Sequence, residues 1–183
     1  MKALVAVLLL ATSVPASDQA EPIGGAPAAS KDPDVIYVPT PQPVVDAMLK
    51  LARVRKGDVV YDLGSGDGRI PITAAKVYGV RAVGIDIDPV RIAEAKANAK
   101  AQDVTDLVTF RQEDLFESDF SEASVVTLYL PDSPNDKLRP KLLSELKPGT
   151  RIVSHAFGMG EWKPEVTQEV EGKTIHLWTV PAR

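Results

Sequence analysis

From about residue 35 onward the apolar positions alternate between two periods. Residues 44–54 (VVDAMLKLARV) carry them at helical spacing, and Pro43 suits a first turn. Residues 58–63 then read as a strand running into glycines, and residues 69–78 as a helix with Ile70, Ala74 and Val77 on one face, stopped by Gly79. The same alternation repeats: strand 81–87, alanine-rich helix 89–101, strand 107–111. Residues 124–130 (SVVTLYL) form a continuous apolar run, the mark of a strand buried on both faces. A helix is expected over 133–146, with Pro140 forcing a late start or a kink, and a fifth strand over 150–157. Residues 166–170 and 174–180 flank Glu171-Gly172-Lys173 and read as a closing β-hairpin. Strand–helix alternation predicts an α/β fold: a doubly wound, mostly parallel, Rossmann-like sheet of seven strands with a C-terminal antiparallel hairpin. One helix is missing, because residues 157–165 (FGMGEWKPE) are too short and too broken to supply it between the fifth and sixth strands.

The first residues follow different rules. A short positive start, Met1-Lys2, leads into an apolar run over 3–14, with Val14 and Ala16 at small-residue positions before Ser17. This pattern predicts a secretory signal peptide over 1–16, cleaved after Ala16, and hence export to a periplasm or exterior. The run falls short of the roughly 20 residues of a comfortable span. An uncleaved N-terminal anchor is the alternative, and it would be the chain's one tie to a membrane. Residues 17–34 are rich in Ala, Pro, Gly and Ser and read as a flexible linker, which leaves 35–183 as the folded domain.

Composition narrows the chemistry. The 183 residues contain no cysteine, which removes disulfides, thiolate metal sites and a thiol nucleophile. With two histidines, a His-rich metal centre is not expected, and no metal is assigned. A formal net charge of −4 argues against a non-specific nucleic-acid binder, which needs a basic field.

The most informative stretch is Asp62-Leu63-Gly64-Ser65-Gly66-Asp67-Gly68-Arg69, where a buried strand turns through glycines into a helix. Glycines at 64 and 66 allow backbone shapes that a Cβ blocks, and they let a ligand approach the main chain. A dinucleotide fingerprint would need its third glycine at position 69, which is Arg, and a P-loop would need Gly-Lys-Ser/Thr. Neither is present. Further acids follow the next two strands: Asp86 in Ile85-Asp86-Ile87, and Glu113-Asp114 before Leu115. Asp88, ahead of Pro89, is better placed than Asp86 to cap the following helix.

Asp62-x-Gly64-x-Gly66-x-Gly68 resembles the first motif of the class I S-adenosylmethionine (SAM) methyltransferases. The ligand's chemistry agrees, because an ammonium and a sulfonium welcome a carboxylate that a pyrophosphate would repel. The resemblance implies that SAM is the cofactor. It implies that Asp62, Gly64, Ser65 and Gly66 line its amino-acid end, with Asp86 and Ile87 at the ribose. Asp114 would meet the adenine amino group, Leu115 would cover the ring, and Thr40 would lie near the methyl.

A narrower set is also present. Tyr37-Val38-Pro39-Thr40-Pro41, Val126-Thr127-Leu128-Tyr129-Leu130, Leu138-Arg139-Pro140-Lys141-Leu142, Ser154-His155 and Trp162-Lys163-Pro164 resemble the small archaeal protein-lysine methyltransferases. They are also similar to the mitochondrial methyltransferase of the ATP synthase c-subunit lysine. The likeness runs over about 37–180 and includes the missing helix. The signal peptide and the proline-rich 131–134 loop depart from it. The implied reaction is in-line methyl transfer to a neutral lysine amine of a protein partner. Lysine's pKa is near 10.4, so the site must deprotonate the amine or strip its water. Tyr129 and Tyr37 are the candidate catalytic residues, and Trp162 and His155 are candidates for holding substrate. Two readings compete: a small-molecule methyltransferase, and an exported, non-catalytic SAM-binding protein.

Overall fold

The computed structural model describes residues 37–183. The expected signal peptide and linker lie outside the described residues. The elements in chain order are α1 Gln42–Leu51, β1 Val59–Leu63, α2 Arg69–Tyr78, β2 Arg81–Asp86, α3 Pro89–Ala101, β3 Val108–Gln112, β4 Val125–Leu128, α4 Asp132–Glu145, β5 Arg151–His155, β6 Val166–Val170 and β7 Lys173–Thr179.

The seven strands form one sheet in the order β3-β2-β1-β4-β5-β7-β6. β1 to β5 are parallel, β7 runs antiparallel to β5, and β6 pairs antiparallel with β7. The last strand in sequence therefore lies inside the sheet and the sixth lies at its edge. Strand order reverses between β1 and β4, so their carboxyl ends open a crevice there, where doubly wound sheets bind ligands.

Alternation along each strand divides the core into two layers. Val60, Val125 and Val153 face α1, α2 and α3. Tyr61, Leu63, Val126, Leu128, Ile152 and Trp178 face the opposite side, where α4 contributes Leu138 and Leu142. Three helices thus cover one face and a single helix serves the other. Just before β1 the buried Asp58 carboxylate accepts from Arg55 N at 2.8 Å, the Ser124 hydroxyl at 2.8 Å and Arg151 Nη2 at 2.6 Å. These partners hold its pKa below the usual carboxylate range despite its burial.

The expected α2 and α3 are found end to end, and Asp88 caps α3 by accepting from Val90 N at 2.8 Å. Pro140 neither delays nor ends α4, which starts at Asp132 and runs continuously to Glu145. No helix links β5 to β6. The intervening loop is folded back by a bridge between Met159 and Trp162.

Candidate active site

The loop between β1 and α2 is shaped by its glycines and pinned by backbone bonds. Gly64 N and Ser65 N both donate to Ile85 O, at 2.8 and 2.9 Å. Asp86, ending β2, reaches across: its Oδ2 accepts from Gly66 N at 2.8 Å and its Oδ1 from Asp88 N at 3.0 Å. Gly66 has φ +51, and a Cβ there would overlap the Tyr37 ring. Both its backbone shape and its neighbour therefore demand glycine.

Asp62 lies one residue before the loop, 3% exposed, and accepts from Thr127 Oγ1 at 2.7 Å. Burial, and to a lesser degree the charges of Asp86 and Asp67, push its pKa up to about 7, against the Thr127 bond that favours the anion. A buried carboxyl in that state is completed by a cationic ligand, which would restore its charge.

Residues 37–41 form a strap across this loop. The Tyr37 ring carries the Arg91 guanidinium 4.9 Å from its centroid. Arg69 Nη1 donates to Thr40 O at 2.8 Å while its Nε donates to Asp67 Oδ1 at 3.0 Å. Tyr37 lines the pocket, yet it leans on the glycine loop and α3. Tyr37 and Tyr129 line the same cavity, Tyr37 on the side of the glycine loop and Tyr129 past the end of β4.

Tyr129 follows β4 and stacks on His155 with ring centroids 3.9 Å apart, and on Phe157 at 6.0 Å. His155 is 1% exposed, and its Nδ1 lies 3.1 Å from Thr40 Oγ1. Burial, with the Lys173 charge, pushes its pKa down to about 4, so it is neutral near pH 7. His155 thus backs Tyr129 instead of facing substrate, which corrects the expected role.

The Trp162 ring packs on Trp178, and its carbonyl accepts from Trp178 Nε1 at 2.7 Å. A buried indole N–H needs an acceptor, and this one is met by the folded-back loop. Phe157, which the sequence reading did not single out, is the residue that stacks near Tyr129. Its signal was its position, an aromatic two residues past His155.

Together these elements enclose a cavity of about 330 Å³ lined by Thr40, Asp62, Gly64, Ser65, Asp86, Ile87, Asp114, Leu115, Tyr37 and Tyr129, among others. Gly66 lies under Tyr37, behind that lining. Phe116 and Arg91 belong to the lining and were not anticipated. The volume suits a nucleoside-sized ligand. Asp62 asks for a cation, and the buried Ser65 Oγ has no partner of its own. Five aspartates meet two arginines in the lining, and both arginines are engaged, Arg69 with Asp67 and Arg91 with Asp88 and Glu94. A pyrophosphate fits this donor set poorly, and SAM fits it well. Among the described residues no cluster of His, Cys, Asp and Glu is arranged to hold a metal ion.

Comparison with known proteins agrees. Residues 62–166 match the ANTKMT methyltransferase domain. A protein-lysine N-methyltransferase of Saccharolobus islandicus (strain REY15A) is 48% identical over 153 residues, which cover 81% of this chain and 95% of that protein. The human lysine N-methyltransferase of the ATP synthase c-subunit is 33% identical over 147 residues, and the alignment spans 61% of its length. A Salinibacter ruber protein described as an RNA methyltransferase, crystallised with S-adenosyl-L-homocysteine, shares 60% identity at a TM-score of 0.79, over 80% of this chain and 95% of its own. The glycine loop, the carboxylates that follow three successive strands and these relatives converge: the chain belongs to the ANTKMT methyltransferase domain family, and it is a SAM-dependent methyltransferase.

Proposed function

We propose that the methyl acceptor is a lysine side chain of a protein. The observation that carries this reading is the charge and shape of the acceptor side. Tyr129 lines a pocket whose carboxylates outnumber its already paired guanidiniums, and with Phe157 stacked near it and a neutral imidazole behind it forms an aromatic wall. Such a mouth attracts an ammonium and repels a phosphate backbone. The relatives named above as lysine methyltransferases support the same acceptor.

Asp62 and the glycine loop would hold the amino-acid end of SAM, Asp86 the ribose hydroxyls, and Asp114 with Leu115 the adenine. The bound cofactor supplies an electrophilic methyl on a positively charged sulfur. The aromatic wall strips water from the incoming ammonium, which lowers its pKa and releases its proton to solvent before transfer. Neutral His155 puts no second positive charge beside it. Tyr129 and its neighbours would hold the freed nitrogen lone pair toward the methyl that SAM supplies, so that the N–C bond would form as the C–S bond broke, with the sulfur leaving as a neutral thioether. No side chain is needed as general base.

A second reading, an RNA acceptor, is favoured by the description of the Salinibacter relative. One experiment separates the two. Tritiated SAM is incubated with the enzyme and cell lysate pretreated with either ribonuclease or protease, and the labelled product is read by mass spectrometry. Methyl-lysine that survives ribonuclease is expected; label lost to ribonuclease overturns the lysine reading. Residues 1–16 are proposed as an export signal, which an intact mass beginning at Ser17 in cell-derived protein would support.

A further inference from the structure

Asn135, in the first turn of α4, is fully buried. Its Nδ2 donates to two carbonyls, Leu130 O at 3.0 Å and Gly158 O at 3.0 Å. Each carbonyl belongs to the residue immediately after a ring of the aromatic wall: Leu130 follows Tyr129, and Gly158 follows Phe157. One planar amide therefore sets the distance between the two backbone segments that carry those rings.

Its neighbours on the same helix face extend the clamp, as residues three and four apart do. Asp132 Oδ1 accepts from Gly158 N at 3.2 Å, and Arg139 Nη1 donates to Met159 O at 2.6 Å. The loop clamped in this way stands where the fold lacks its expected helix. Packing alone does not account for the amide. Asn135 Oδ1 is buried without a partner, a cost that an apolar side chain of similar size would avoid.

We infer that Asn135 is a positioning residue for methyl transfer: by bridging the carbonyls that follow Tyr129 and Phe157, it fixes the spacing of the wall that receives the acceptor. The inference rests on the acceptor-wall reading above. Asn135 touches neither SAM nor acceptor, so its effect should reach acceptor turnover and spare cofactor affinity.

The test uses Asn135→Ser, Phe157→Ala and the double variant in the full chain. Rates are read as tritium from SAM entering acid-precipitable lysate material over a dilution series, and SAM affinity by calorimetry. Asn135→Ser should lower the rate at low lysate concentration by about tenfold, with SAM Kd within about twofold. In the Phe157→Ala background it should cost less than about twofold, because the wall it positions is already broken. An unchanged rate, effects that multiply, or a parallel loss of SAM affinity would overturn the inference. Should Asn135→Ser fail to fold, Arg139→Gln probes the same loop from a half-exposed position. It should lower the rate about threefold at constant SAM Kd, and no change there overturns the inference equally. Wild-type kinetics in Phe157→Ala would instead sink the acceptor-wall reading. A wild-type enzyme that labels nothing in the lysate removes both.

Discussion

The two halves of the proposed active site are built in different ways. The cofactor half is assembled at the ends of β1, β2 and β3 around a loop of consecutive residues: Gly66 N reaches Asp86 20 positions on, and the Asp62 carboxylate takes Thr127 65 positions on. The acceptor half gathers Thr40, Tyr129, His155 and Phe157, and its tie from Thr40 to His155 spans 115. The cofactor half holds its ligand's shape through backbone geometry and carboxylates. The acceptor half consists of stacked rings whose spacing is imposed from behind by α4. A pocket for one invariant ligand can be written locally, whereas a pocket for a side chain entering from outside depends on how distant loops meet.

The largest predicted effect lies in the cofactor half. Gly66→Val places a branched side chain at φ +51 against Tyr37, and calorimetry should show SAM affinity falling by more than about 100-fold. Retention of wild-type affinity would mean that the loop does not shape the cofactor site. Asp86→Ala should follow, with a loss of more than about tenfold, or roughly 1.5–3 kcal/mol, since it removes a charged acceptor from the loop and from the ribose site together. On the acceptor side, Tyr129→Phe should change methyl-transfer rate more than SAM affinity. If SAM Kd moves as much as the rate, the two halves are one site and the contrast fails.

The halves should also respond oppositely to pH. Asp62 has a folded pKa raised to about 7 from 3.8, so it favours the folded state fully below its unfolded pKa and loses that contribution as pH rises towards 7. His155 has a folded pKa lowered to about 4 from 6.5, so its contribution is present above 6.5 and is lost as pH falls towards 4. Asp62→Asn should therefore raise the melting temperature of the SAM-free protein at pH 8, by a stability gain of at least about 1 kcal/mol, while abolishing SAM binding. His155→Phe keeps a ring against Tyr129 and should flatten the fall in melting temperature between pH 6.5 and 4.5. This is the smallest of these effects, and melting curves of both variants across that range would decide it. Shifts in the same direction would break the comparison.

The sequence was most readable where local rules suffice. α2 and α3 end at Gly79 and begin at Asp88-Pro89, where backbone preference and capping act within a few residues. Asp62, Asp86 and Asp114 were legible because each follows an apolar run at a predictable distance. Pro140 does not delay the helix start, one of its two expected effects, because the tertiary support of a helix anchored by Leu138 and Leu142 outweighs a proline penalty weighed on its own. Asn135 gave no signal at all, since its importance lies in two carbonyls that belong to other loops.

Periodicity, glycine positions and the spacing of acids thus determined, from the chain alone, the alternating α/β fold and the loop and aspartates that line its cavity. All three act through backbone conformation and strand ends, which neighbouring residues dictate. Which aromatic ring would stack near Tyr129 was decided only in three dimensions. β7 inserts between β5 and β6, Trp178 comes to lie opposite Ile152, and its buried N–H takes the Trp162 carbonyl. The loop that satisfies that hydrogen bond also brings Phe157 beside Tyr129, an arrangement that no spacing along the chain encodes.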